Sequence, residues 1–202
     1  MSQVPCIKTL KIKNFGCIGG EQLIVDIDNI VVLVGPNNAG KSTILRAYEA
    51  VTDCKKLEQD DFHNKQVLAE NHPEIEVYSI ATEENKPGDE WSLDQGDGTF
   101  LIKEKWEWHG TNVEPKRVGF NINLHRWAEP GDPEQMPWGT NNVAKARRPK
   151  PHRVNTFDDP EIQSKAITSL LKSLLEDKIQ SIKENEEDES TRYETIVESL
   201  KL

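Results

Sequence analysis

Lys41 and Ser42 are the residues whose type and spacing point most directly to chemistry. They lie in the run Gly35-Pro36-Asn37-Asn38-Ala39-Gly40-Lys41-Ser42-Thr43, a complete G-x-x-x-x-G-K-[ST] phosphate-binding loop. A polyphosphate concentrates negative charge, which must be met by donors held close without steric bulk. Gly35 and Gly40 supply that clearance. Backbone N–H groups from about Asn38 to Thr43 are expected to converge on one concavity, backed by the unpaired donors and positive end of a following helix. In this reading Lys41 reaches the β- and γ-phosphates and is the catalytic candidate. The Ser42 hydroxyl is the expected Mg²⁺ ligand. The bland alternative is a glycine turn with an exposed lysine that spells the same motif, so the flanking elements decide.

Those elements agree with the motif. Ile30-Val31-Val32-Leu33-Val34 is an unbroken apolar run before the loop, which predicts a parallel strand covered on both faces. After the loop, Ile44, Leu45, Tyr48 and Val51 recur at helical spacing and predict one buried face. Two alternating segments come earlier, one from Lys8 to Asn14 with Leu10 and Ile12 on a face, the other with Leu23, Val25 and Ile27. The predicted order is therefore strand, strand, strand, loop, helix. An N-K-x-D guanine-reading tetrapeptide is lacking, because Asn85-Lys86 continues into Pro87-Gly88. Guanine specificity is therefore not expected.

With these residues in view the chain resembles the N-terminal part of the ABC-type ATPase head of RecF-like and structural-maintenance-of-chromosomes-like DNA proteins. Leu10-Lys11-Ile12-Lys13-Asn14-Phe15 is similar to their opening "IKNF" strand. The doubled asparagine Asn37-Asn38 resembles the overcoming-lysogenization-defect (OLD) family more than transporters, which usually show glycine where Asn38 stands. Leu57-Glu58-Gln59-Asp60-Asp61-Phe62 and the passage from Arg153 into Ser169–Leu175 also look like that family. The resemblance implies an α/β P-loop NTPase fold of ABC type, here a partial head with an antiparallel β subdomain and C-terminal helices. It further implies an ATPase, dimerisation, and DNA as a partner of the complete protein. Many relatives carry an arginine after the Asn-Phe pair and use it near the nucleotide, whereas this chain has Gly16.

An ABC-type ATPase also needs an apolar strand ending in Asp-Glu and a Ser-Gly-Gly signature loop, and nothing after Thr43 fits either. Leu174-Leu175-Glu176-Asp177 is the nearest match, but it falls in a helical pattern and reads as helix surface. A toprim nuclease module with clustered acidic residues is not visible. At 202 residues, 30% of them charged, and with a mean hydropathy of -0.69, the chain is polar for a closed domain. Tyr193, Ile196, Val197 and Leu200 are still in helical register at the last residue. A piece of a larger protein is the expectation. Two functions stay open: the ATP-binding portion of an OLD-like DNA-directed ATPase or endonuclease, and a nucleotide-sensing, dimerising module. A RecF-like or SMC-like repair ATPase without nuclease activity is the runner-up family.

The expected organisation is a nucleotide-binding core over residues 1–56, an antiparallel subdomain with a long basic loop over 57–157, and a helical, dimerising arm over 158–202. Ile75, Val77 and Ser79 mark one strand of the subdomain; Phe100, Ile102, Trp106 and Trp108 share a face of a second; Val118, Phe120 and Ile122 share a face of a third. Trp106 and Trp108 are expected in the core, with a base-stacking platform as the alternative. Lys145, Arg147, Arg148, Lys150, His152 and Arg153 form the only dense basic cluster in a chain of net charge -10. They fit either a local DNA-backbone or nucleotide contact or a solvated loop. Asp159-Pro160-Glu161 marks a helix start, followed by an apolar stripe of Ile162, Ala166, Leu170, Leu171, Leu174, Ile179 and Ile182.

Cys6, Cys17 and Cys54 show no C-x-x-C spacing and an odd count, as expected of reduced thiols in the cytoplasm. The histidines at 63, 72, 109, 125 and 152 are dispersed with no pair at helical spacing, so no structural zinc is expected. No apolar run approaches the roughly 20 residues that span a bilayer, so no membrane partner is expected.

Overall fold

The alternating N-terminal segments form the edge of a sheet. In the computed structural model, which describes residues 6–28, 30–140 and 159–185, β1 (Cys6–Lys13) buries Leu10 and Ile12 and turns Lys11 and Lys13 to the opposite face. It pairs antiparallel with β2 (Leu23–Asp26) on one side and with β3 (Glu74–Thr82) on the other. Beyond β3 come β4 (Leu93–Asp94), β5 (Thr99–Glu107), β6 (Lys116–Asn121) and β7 (Arg126–Trp127). The order is β2-β1-β3-β5-β6-β7, with β4 also pairing with β5. Because β1 and β3 are neighbours, residues before and after position 56 share one sheet.

One face of this sheet is covered by α1 (Lys41–Asp53), the helix that follows the phosphate loop. Ala47, Ala50 and Val51 pack with Leu10, Ile12, Phe15, Ile75, Val77, Trp106 and Trp108 in a single core. The expected buried face is corrected in part. Val51 is buried and Ile44 and Tyr48 lean on the core, but Leu45 is 48% exposed. Alanines at 47 and 50 take the closest approach, since a small side chain lets helix and sheet come together. Trp106 and Trp108 are fully buried, which removes the base-stacking alternative. The Trp108 indole N–H donates to the Lys55 carbonyl at 2.8 Å and so fastens the sheet to the end of α1.

The apolar run before the loop departs from expectation. Ile30–Val34 forms no strand, and Ile30, Val32 and Val34 are 83%, 75% and 89% exposed. A strand exists only through a neighbour that takes up its N–H and C=O groups, and every strand pairing among the described residues is antiparallel and elsewhere. Val31 and Leu33 instead border an apolar cavity of about 470 Å³ that also touches Ile7, Val25, Ile27 and Tyr48.

A hairpin joins β5 to β6, which pair in register from Glu107↔Lys116 to Glu104↔Gly119. Two charges sit inside it. Glu104 and Arg117 are 0% and 4% exposed and form an ion pair, with Arg117 Nε donating to Glu104 Oε1 at 2.7 Å. The same guanidinium donates to the carbonyls of Gly139 (3.1 Å) and Pro137.

The chain divides into two compact units, Met1–Pro151 and His152–Leu202. The second contains α2 (Pro160–Asn185), which begins where the sequence marks it. Asp159 accepts the Glu161 N–H on its carboxylate at 2.9 Å, and its carbonyl accepts from Ile162 and Gln163. Leu174–Asp177 falls inside this helix, as read. Ile162, Leu171 and Leu175 on α2 are 62%, 55% and 42% exposed. The basic cluster 145–153 and the register at 193–200 lie outside the described residues. No helix among the described residues is long and apolar enough to cross a membrane.

Candidate nucleotide-binding site

The phosphate-loop motif stands at the N-terminus of a 13-residue helix. Gly40 is its cap, with φ +88°, a left-handed conformation that glycine adopts without strain. A Cβ there would also lie 3.0 Å from the Cys17 sulfur, a tight contact from which the sulfur would have to shift. No side chain caps the helix start, so first-turn N–H donors are left for another acceptor. Asn38 is also left-handed, at φ +64°, a conformation asparagine tolerates.

Gly35 through Ala39 are exposed, as is Ser42, while Thr43 is buried. The Thr43 hydroxyl lies 3.3 Å from Cys17 Sγ and is committed to packing. Lys41 folds back over the loop, its ammonium donating to the carbonyls of Gly35 (2.7 Å) and Pro36 (2.6 Å). The loop thus offers one ammonium, one exposed hydroxyl and an uncapped helix start within a few residues. That donor set fits a polyphosphate with a hard divalent cation.

The turn after β1 lies against this helix start. Asn14 N–H bonds to Gly19 O at 2.9 Å, and Phe15 bridges to Phe62 with both rings buried. Gly16, at φ +56°, donates its N–H to Asp61 O at 2.7 Å. A Cβ on Gly16 would meet the Thr43 methyl at 2.9 Å. Position 16 therefore lies beside the first turn of α1, where a side chain would be strained and would press on Thr43. Asp61 has a second role, since its carboxylate pairs with Arg46 of α1 and accepts the Glu58 N–H. The Leu57–Phe62 stretch thus braces α1 from the side, with Leu57 and Phe62 in the core.

Sequence reasoning missed one cluster. His72, Glu107 and His109 come together at the other face of the sheet, although the histidines were read as dispersed. Helical spacing was the wrong test. The available signal was Glu-x-His at the end of β5 and a histidine two residues before β3.

A family model for the AAA ATPase domain matches residues 6–195. No protein of curated function matches the sequence. Among solved structures, a chain from work on the structural biochemistry of ATP-driven dimerization and DNA-stimulated activation of SMC ATPases aligns at 18% identity and a TM-score of 0.33, covering 55% of this chain and 71% of that one. A likeness at that level adds nothing to the assignment, which rests on the family match. With the α/β P-loop fold and the loop geometry in place, the chain belongs to the AAA ATPase domain family of nucleotide-binding ATPases.

Proposed function

We propose that this chain binds ATP and Mg²⁺ through residues 35–43 and is the ATP-binding N-terminal portion of an OLD-like, DNA-directed ATPase. The observation that carries the reading is the phosphate-loop motif seated on an uncapped helix start, with Ser42 exposed and Lys41 over the loop. On binding, Lys41 exchanges two loop carbonyls for phosphate oxygens, which costs no burial of an unpaired charge. Amides from Asn38 to Thr43 receive the β- and γ-phosphates, and the Ser42 hydroxyl takes one Mg²⁺ position. Thr43 keeps its contact with Cys17 and holds the helix start in place.

Hydrolysis requires an acidic group to position water and a signature loop, and neither is legible in these 202 residues. The exposed run Ile30–Val34 fits a partial ABC-type head, because a central strand needs ladder neighbours on both sides. Dimerisation through α2 is part of the proposal, supported by exposed Ile162, Leu171 and Leu175. DNA contact is assigned to the basic cluster Lys145–Arg153. The helical setting of Glu176 and Asp177 favours one second reading, a nucleotide-sensing module that binds ATP without hydrolysing it.

Equilibrium titration of the chain with a fluorescent ATP analogue tests the proposal. Saturable, Mg²⁺-dependent binding that Lys41→Ala weakens by about tenfold or more, roughly 1.4 kcal/mol, is the expected result. Equal affinity in the two proteins would remove the assigned role of the loop.

A further inference from the structure

His72 and His109 are far apart in sequence, yet the β3–β5 ladder makes them neighbours. Glu74 faces Glu107 and Ile75 faces Trp106. One further rung, Trp108 N–H to Pro73 O at 3.1 Å, carries the pairing past the strand ends and sets His72 opposite His109. Side chains alternate along a strand, so Glu107, two residues before His109, points to the same face. Ligand atoms of the three side chains lie within 4.8 Å of one another. His72 Nε2 is 3.8 Å from Glu107 Oε1, and His109 Nε2 is 3.9 Å from Glu107 Oε2. The two imidazole centroids are 4.3 Å apart.

Hydrogen bonds and ion pairs orient the three side chains. His72 Nδ1 lies 3.1 Å from the Ala69 carbonyl, which can only accept, so Nδ1 carries the proton. Nε2 is then the nitrogen that faces the Glu107 carboxylate. A carbonyl fixing the outer nitrogen is also how metal-binding histidines are oriented. The Glu107 carboxylate is itself held by Lys105. Lys105 occupies Oε1 at 2.9 Å and shares its charge with Glu74 at 3.6 Å, leaving Oε2 on the His109 side.

We propose that His72, Glu107 and His109 form a binding site for a divalent transition-metal ion, with Zn²⁺ the best chemical match. Two imidazoles and one carboxylate suit Zn²⁺ and its neighbours in the first transition row, whereas Mg²⁺ and Ca²⁺ take oxygen sets. With bonds of about 2.0–2.1 Å, a tetrahedral Zn²⁺ needs ligand atoms roughly 3.3 Å apart, so closing from present separations of up to 4.8 Å takes about 0.5–1.5 Å of side-chain adjustment. The fourth position faces the exposed side of His109, which is 53% accessible, and is open to water. The ion joins the entry of β3 to the exit of β5, next to Trp108 and its bond to the end of α1. It is separate from the Mg²⁺ that accompanies nucleotide.

The test uses the full chain stripped of metal with a chelator. Co²⁺ is titrated while the visible d–d absorption is followed, and Zn²⁺ affinity is measured by competition with a chromophoric chelator. Stoichiometric binding is expected, together with a Zn²⁺-dependent rise in melting temperature. His109→Ala and His72→Ala should each weaken Zn²⁺ by at least about tenfold. Because His109 is half exposed, its variant should keep the metal-free melting temperature. Glu107→Gln, which preserves shape and removes charge, gives a second route if either histidine variant fails to fold. No saturable binding in the parent chain, as a plain protonated His72–Glu107 pair would give, overturns the proposal. So does Zn²⁺ affinity unchanged in His109→Ala, which would place the ion on the cysteines or elsewhere.

Discussion

Replacing Arg117 by methionine should cost the fold about 3–5 kcal/mol, the usual penalty for breaking a buried ion pair by removing one partner. Glu104 is 0% exposed and sits between Ile102 and Trp106 on the buried face of β5. Without the guanidinium its carboxylate must ionise in an apolar layer, take up a proton, or drag water inward. The carbonyls of Pro137 and Gly139 lose their donor as well, although that segment can turn them to solvent. Against a total stability of about 5–15 kcal/mol for a domain, such a loss would be visible in any unfolding experiment. The assay is urea unfolding followed by tryptophan fluorescence, since Trp106 lies 5.9 Å from the Arg117 guanidinium. The companion variant Glu104→Leu/Arg117→Met removes both charges and should recover most of the loss, because no buried carboxylate then lacks its counter-ion. A cost below about 1 kcal/mol for Arg117→Met, or a double variant as unstable as the sum of the singles, would refute this reasoning.

Other perturbations follow from the geometry around the loop and from the sheet edge. Gly16→Ala combines a left-handed backbone with a Cβ 2.9 Å from the Thr43 methyl, so it should lower stability by about 1–3 kcal/mol; calorimetry showing no loss would mean the turn can move aside. Alkylating exposed Cys17, whose sulfur is 3.3 Å from Thr43 Oγ1, should block ATP binding, with Cys17→Ser resistant; equal inhibition of both would assign the effect to Cys6 or Cys54. The Asp132 carboxyl is held below its ordinary value by Arg126 and then by the Glu129 N–H. Its stabilisation is therefore complete above the ordinary carboxylate range and lost as pH falls through the depressed folded value. Asp132→Asn should flatten that part of the melting-temperature profile, and an unaltered acid limb would contradict the bidentate pair.

The sequence made the phosphate loop, its helix and the start of α2 legible because each is local: fixed spacing, a cap, a periodic stripe. Trp106 and Trp108 were readable as core for the same reason, sharing one strand face with Ile102. What failed was whatever depended on a neighbour. Ile30–Val34 has the composition of a central strand, but composition cannot supply the adjacent strands that would pair with it. Leu45 fits the helical stripe, yet Ala47 and Ala50 set the closest approach of α1 to the sheet and leave Leu45 outside. Glu104 and Arg117 break the alternation and look like surface residues until the register shows that each buries the other. His72 and His109 likewise become a pair only when the β3–β5 register is known.

Phosphate binding by the loop amides is read most directly by observing those amides one by one. In a ¹⁵N-labelled chain titrated with MgATP, the largest amide shifts should fall on residues 38–43, with Ser42 and Thr43 moving in slow or intermediate exchange. Lys41→Ala should abolish those shifts while leaving the β1–β3 sheet resonances in place. Shifts confined to other parts of the chain, or none at concentrations where the family binds nucleotide, would contradict the account.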